Sequence, residues 1–344
     1  MKNYSSCPIC ANKPAFSLSF SIKSSGTNEI MDISIDEFLV KVAKQEYLTG
    51  ELSCCMGCRL FYNSKFFTEQ ELNEIYNNAY FRLEERIQDF GDFVYNNSEF
   101  LSAYSARIYS MVKNAEKKYK REIREIYDIG GRDGFMLKDL AEEKYRCTVL
   151  DPIPRESCSP KVKKLNIWST QVKSDHGVDM VLFCDVLAHC VDIRKEISHL
   201  RGVVKDGGLV YLEVPYDIGT VFDWILFGRW RGKNLPIDLT HFAYFSKRSL
   251  LRLLNENGFE CLEFKFDTIP GGMDVTVLTV LAKKAGGERD SKYKNASFCF
   301  DLIGTWYFPR KIMAFFRKLG NLGHKRPYKV AANKEKHVLL EGKR

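Results

Sequence analysis

The stretch 125-EIYDIGGRDG-134 decides the fold. Glu125 to Ile129 is a short apolar run broken by Asp128, and it leads into Gly130, Gly131 and Gly134. Residues 131–143, GRDGFMLKDLAEE, then read as a loop entering a helix. A strand that runs through a glycine loop into a helix is the first βα turn of an open α/β sheet. In such sheets ligands sit outside the carboxyl ends of the strands. Glycines there let the backbone approach a ligand closely. The same residues also fit a purely structural turn with a capping acid.

Working toward the C-terminus, apolar runs alternate with helical patterns. RCTVLDP (146–152) reads as a second strand ending in Asp151, an acid placed to hold the two hydroxyls of a ribose. KLNIW (164–168) is a third strand, VDMVLFCDV (178–186) a fourth and GLVYLEVP (208–215) a fifth. DIRKEISHLRGVV (192–204) and SKRSLLRLLNENG (246–258) read as helices, the second capped by Ser246 and ended by Gly258. FECLEFKF (259–266) and DVTVLTVLAKK (274–284) close the set. The pattern predicts an α/β fold over 125–284, doubly wound around a mostly parallel seven-stranded sheet.

Working toward the N-terminus, residues 67–124 read as a helical bridge, with Thr68 and Glu71 forming a capping box at its start. Residues 1–66 carry two Cys-x-x-Cys pairs, Cys7/Cys10 and Cys55/Cys58. That spacing lets a tight turn present two thiolates to one tetrahedral ion, and two such turns close a four-sulfur structural zinc site. Gly57 is expected to help the second turn by tolerating a positive φ. Cys54 is a spare. The 44 residues between the pairs are long for a bare ribbon, and IDEFLVKVAKQEYL within them looks helical.

The 344 residues carry a net charge of +8, but residues 283–344 hold 16 Lys and Arg against 5 Asp and Glu. That is +11, which leaves 8 − 11 = −3 for residues 1–282. A body near −3 speaks against a nucleic-acid partner, whose phosphates need Lys and Arg. The basicity belongs to the segment 285–344. There, within residues 298–320, Ile312, Phe315, Phe316 and Leu319 form a stripe beside Arg310, Lys311, Arg317 and Lys318. Such a helix suits an anionic membrane surface, or it docks on the protein's own body or on another subunit. The first residues show no apolar export core. The expected location is cytoplasmic, with peripheral contact at the inner face of the membrane as an option.

The order of these motifs resembles the class I S-adenosylmethionine-dependent methyltransferases. DIGGRDG resembles their motif Asp-x-Gly-x-Gly-x-Gly, with Arg132 in place of the middle glycine. VDMVLFCDVLAHCVD resembles their fourth strand and the segment after it, with Ala188 in place of Glu before His189. The N-terminal module, from CPIC through CMGCRLFYN to IYNNAYF, is similar to the zinc-binding module of bacterial sugar and polysaccharide-biosynthesis methyltransferases. The resemblance implies that Asp128, Gly130, Gly134 and Asp151 bind S-adenosylmethionine, with Cys184 and Asp185 near the transferring methyl. It implies a sugar nucleotide or glycan as acceptor. An RNA methyltransferase, or a non-catalytic scaffold on a degenerate methyltransferase fold, are the alternatives. An acceptor hydroxyl or carbon must lose a proton, and His241 and His189 lie in the loops where a base is expected. For His189 a packed or capping role is the competing reading. Glu213, at the end of the fifth strand, either binds acceptor or faces solvent.

Overall fold

The computed structural model describes residues 2–23, 47–68, 70–72, 98–152, 156–172, 176–216, 241–269 and 275–285. Most of the helical pattern expected near 35–48, the bridge residues 73–97 and the basic segment from 286 onward lie outside the described residues.

Seven strands form the main sheet: β5 (Glu125–Ile129), β6 (Arg146–Leu150), β7 (Val162–Leu165), β8 (Val178–Cys184), β9 (Val204–Pro215), β11 (Phe259–Ile269) and β12 (Val275–Lys284). Their order is β11-β12-β9-β8-β5-β6-β7. The five strands from β9 to β7 run parallel, while β12 is antiparallel to both β9 and β11. The chain builds outward from β5 to β7, then returns to the other side of β5 with β8. That reversal puts the switch point between β5 and β8, where a crevice opens at the strand ends. β8 is buried at all seven positions, as expected for a central parallel strand covered on both faces.

The helices cover the sheet through one apolar stripe each. In α1 (Ser98–Tyr119), Tyr104, Ile108, Val112 and Ala115 are buried at helical spacing. They pack with Met136, Leu137 and Leu140, from the turn after the glycine loop and the short α2 (Lys138–Ala141). α3 (Ile193–Val203) starts at Asp192, whose side chain accepts the Lys195 amide at 3.1 Å, and buries Ile193, Ile197, Leu200 and Val203. α4 (Lys247–Glu256) starts at Ser246, which exchanges hydrogen bonds with Ser249. Among the described residues no helix is long and apolar enough to cross a membrane.

A second sheet comes from the N-terminal residues. Its core is β2 (Phe16–Lys23), β3 (Tyr47–Cys54) and β4 (Phe61–Phe66), all antiparallel. The outer edge of β4 is taken by two short strands end to end. β1 (Lys2–Asn3) pairs with Lys65 and Phe66, and β10 (Ala243–Tyr244) pairs with Phe61 and Tyr62. β10 comes from the chain just before α4, so the C-terminal half completes the N-terminal sheet. Phe242 seals the junction, fully buried against Tyr4, Tyr62 and Phe66.

Candidate functional site

The four cysteines predicted as metal ligands meet. Cys7 Sγ lies 3.4 Å from Cys58 Sγ, and Cys10 Sγ lies 3.3 Å from Cys55 Sγ. All four sulfurs lie within 4.8 Å of one another. Metal–sulfur bonds near 2.3 Å suit a group of that size. The two turns are built alike. In each, the amide four residues past the first cysteine donates to that cysteine's carbonyl: Ala11 to Cys7 at 2.9 Å and Arg59 to Cys55 at 2.7 Å. The first cysteine's own amide donates to the carbonyl five residues on, Asn12 or Leu60. The left-handed residues are Ala11 (φ 58°) and Arg59 (φ 63°), so the expectation of a positive φ at Gly57 is corrected. Gly57 serves by lacking a side chain, since a Cβ there would lie 2.3 Å from Asn12 Nδ2. Cys54 stays outside the set; burial first, then the neighbouring Cys55, pushes its thiol up to about 12.

At the carboxyl ends of the parallel strands, the glycine loop takes the form the sequence asks for. Gly130 (φ 74°) and Gly134 (φ 86°) are left-handed, and so is Arg132 (φ 55°), which stands in the middle-glycine place. Arg132 is held by both of its backbone groups. Its amide donates to Asp151 Oδ2 at 3.0 Å, and its carbonyl accepts from Lys164 Nζ at 2.6 Å. The acid ending the second strand therefore also clamps the glycine loop. A Cβ on Gly134 would meet Val162 and Val149 inside 3 Å, so this glycine lets the loop close onto β6 and β7.

Asp128 is 0% exposed, and neither carboxylate oxygen has a hydrogen-bond partner. Its Oδ2 lies over Gly131, at 2.2 Å from where a Cβ would stand. Burial, then Asp151 and Asp133, holds this carboxyl well above the usual range. A buried carboxyl without a donor at a strand end is a standing demand for a cationic or hydrogen-bonding ligand group.

At the end of β8, Cys184 is buried, and burial followed by Glu213 keeps its thiol neutral. Asp185 is exposed and left-handed (φ 54°), and its amide donates to the Glu213 carbonyl at 2.9 Å. His189 and His241, 52 residues apart in sequence, stack edge to face with ring centroids 4.7 Å apart. Ligand atoms of Asp185, His189 and His241 lie within 4.8 Å of one another. His241 is only 7% exposed. Its loop is pinned from two sides: the Phe242 amide donates to the Ala188 carbonyl at 2.7 Å, while Asn63 Nδ2 donates to the His241 carbonyl, also at 2.7 Å.

No motif or spacing points to Asn63 or to the buried network around Glu213. That carboxylate is 1% exposed, which removes the option that it faces solvent. It accepts from Tyr104, from Arg107 Nη2 at 2.6 Å and from Tyr211 at 3.1 Å. Burial works against the charge of Arg107, but Glu213 more than restores it and raises its pKa. Arg107 also reaches Asp267 on β11 at 3.3 Å. The signal for such a network is a set of charged and phenolic residues on apolar stripes, and it becomes readable only once three elements are placed together.

The family model described as a methyltransferase domain matches residues 99–263. No curated protein matches the chain in sequence. Among solved structures, the chain is similar to a 1,6-didemethyltoxoflavin-N1-methyltransferase from Burkholderia thailandensis, with bound 1,6-didemethyltoxoflavin and S-adenosylhomocysteine. The identity is 12% and the TM-score 0.49, over 69% of this chain and 96% of that one. It is also similar to an S-adenosylmethionine-dependent methyltransferase from Methanosarcina mazei, at 19% identity and a TM-score of 0.39, over 50% and 97% of the two chains. A third is the N-methyltransferase NodS from Bradyrhizobium japonicum, in complex with S-adenosylhomocysteine, at 14% identity and a TM-score of 0.39, over 53% and 87%. None of these three bears on the acceptor.

Proposed function

We propose that this chain, an S-adenosylmethionine-dependent methyltransferase by its domain at residues 99–263, acts on a sugar-type acceptor, either a nucleotide-activated sugar or a surface glycan. One observation carries the reading. Asn63, on the strand that follows the second cysteine turn, holds the backbone of His241 and Phe242 through two hydrogen bonds. On this reading the four-cysteine module, which resembles that of sugar methyltransferases, helps to build the acceptor side of the site.

S-adenosylmethionine supplies an electrophilic methyl on a sulfonium. The residues at the strand ends fit it. Asp128 would meet the ammonium of the amino-acid half, which is the donor its buried oxygens lack. Gly130 and Gly134 would keep the loop tight beneath that half, and Asp151 would hold the ribose. Cys184, neutral and buried, and Asp185 would lie toward the methyl. His241, supported by His189, would take the acceptor proton as the acceptor's new bond to the methyl carbon forms and that carbon's bond to the sulfonium sulfur breaks, which releases S-adenosylhomocysteine. Holding acceptor and methyl in line accounts for much of the acceleration. Cys7, Cys10, Cys55 and Cys58 would hold a structural zinc ion, and β4 with its Asn63 contact would be fixed along with them. An RNA acceptor is less well supported, because residues 1–282 carry a net charge of −3.

The test is incubation of zinc-loaded full-length protein with S-adenosylmethionine and a panel of nucleotide sugars, glycans and structured RNA, read by mass spectrometry. A sugar that gains one methyl is the expected result. A panel in which only RNA is methylated overturns the acceptor class.

A further inference from the structure

The geometry points to a second metal site, for a divalent transition cation, formed by Asp185, His189 and His241 at the mouth of the proposed methyl-transfer site. Two imidazoles and one carboxylate gather their ligand atoms within 4.8 Å, the size of a single coordination sphere. The donor set differs from that of the four cysteines. Thiolates select zinc and other soft ions, whereas two histidines and a carboxylate suit manganese, iron, cobalt, nickel or zinc and leave coordination positions open.

Three features show that the group is held in place. Asp185 adopts a left-handed backbone (φ 54°) directly after a fully buried strand, and its amide is fixed to the Glu213 carbonyl. An aspartate tolerates that conformation better than most residues. The His189 amide closes a turn onto the Val186 carbonyl at 3.0 Å. The backbone around His241 is tied to Ala188 on one side and to Asn63 on the other. The three ligands therefore come from segments whose backbones are cross-linked by hydrogen bonds, and little conformational entropy remains to be lost on binding. The set grades from buried His241 through half-buried His189 to exposed Asp185, so the open coordination positions face outward.

The cation deepens the proposed function, and its role toward the acceptor rests on that reading. An acceptor hydroxyl taken into an open position would release its proton to solvent water more readily, as water itself does on a bound cation. With the cation bound, the ligating nitrogen of His241 is engaged by the metal and the acceptor proton passes to water; His241 is the base only in the metal-free protein.

The test uses intact full-length protein with its four-cysteine zinc in place, freed of weakly held metal by dialysis. Cobalt(II) is titrated and followed by visible absorbance and calorimetry, and total zinc is counted before and after. The expected result is one further cobalt per chain, with the weak spectrum of nitrogen and oxygen ligation and no loss of zinc. Asp185→Asn and His189→Ala should each weaken that binding at least tenfold, while His176→Gln leaves it intact. If His189→Ala fails to fold, Asp185→Asn carries the comparison. The site is overturned if wild type takes up no cobalt beyond the cysteine site, or only displaces zinc and shows intense thiolate absorption. It is equally overturned if both variants bind as tightly as wild type. S-adenosylhomocysteine binding is measured on the same samples. Its absence would sink the methyl-transfer reading and leave the cobalt result to stand by itself.

Discussion

Replacing Asp128 by Asn should make the empty protein more stable and the cofactor weaker. The side chain is completely buried, and both oxygens lack a partner. Its folded pKa is raised by burial, then by Asp151 and Asp133. For an acid, a raised folded pKa means that the folded state binds the proton more tightly than the unfolded chain. Below the unfolded pKa both states are protonated and nothing is lost. As pH rises through the folded pKa, the ionised carboxylate is left desolvated and stability falls. A buried polar group without a partner costs about 1–3 kcal/mol, and more when charged. Asn removes the charge but leaves an unpaired amide, so about 1–2 kcal/mol of that cost is recovered. In a chain of 344 residues that is a rise of about 1–3 °C in Tm. The rise should be largest near about pH 8 and nearly gone near about pH 4, where the native carboxyl is already protonated. Differential scanning fluorimetry across that range reads it directly. Calorimetry with S-adenosylhomocysteine should show the opposite sign, a loss of about tenfold or more, equal to about 1.4 kcal/mol. The reasoning is refuted if the Asn variant melts lower than wild type at the alkaline end, or if it binds S-adenosylhomocysteine equally well.

Other perturbations probe the supports. Asn63→Ala removes the donor to the His241 carbonyl; it should cost about 1 kcal/mol in stability and lower methyl-transfer turnover while S-adenosylhomocysteine binding holds, and a parallel fall in both would argue against a positioning role. Chelating the zinc proposed for the four cysteines should lower Tm and turnover together, because binding energy at such a site is folding energy; full activity after complete zinc loss, counted by mass spectrometry, would contradict this. Arg107→Met strands the buried Glu213 carboxylate and should cost about 3–5 kcal/mol by urea unfolding. Glu263 is held down to about 2, by Lys118 first. Its contribution is present above the ordinary Glu range and is lost as pH falls toward that value, so Lys118→Ala should flatten the acid limb of the stability curve; an unchanged limb would remove the pair from the account.

The seven-stranded sheet was legible in the sequence because its strands are apolar runs ended by acids and glycines, and the helix after Ser246 announces itself by its cap. The two cysteine turns were legible from spacing alone. The N-terminal sheet was not foreseen, although Phe16, Leu18, Phe20 and Ile22 alternate over β2 as a half-buried strand should. β10 has two residues and no periodicity to read. Both histidines were singled out from their loops, but the approach of His241 to Asp185 and His189 was not, because nothing local links it to a segment more than fifty residues earlier. Glu213 was left open between solvent and acceptor because its partners Tyr104 and Arg107 sit on a helix about a hundred residues earlier. Contacts between distant segments are set by topology, and sequence periodicity does not carry them.

The pairing of β10 with β4 has a practical side. A fragment cut to the matched residues 99–263 would carry Ala243 and Tyr244 with no strand beside them and Phe242 bare to water. A fragment ending at residue 66 would keep its cysteines but offer an open β4 edge to any passing chain. Each piece would be sticky at the place where the other belongs. Any portion of this protein worth purifying therefore includes everything from β1 to β12, and attempts to borrow its catalytic half for another scaffold must carry the N-terminal sheet along.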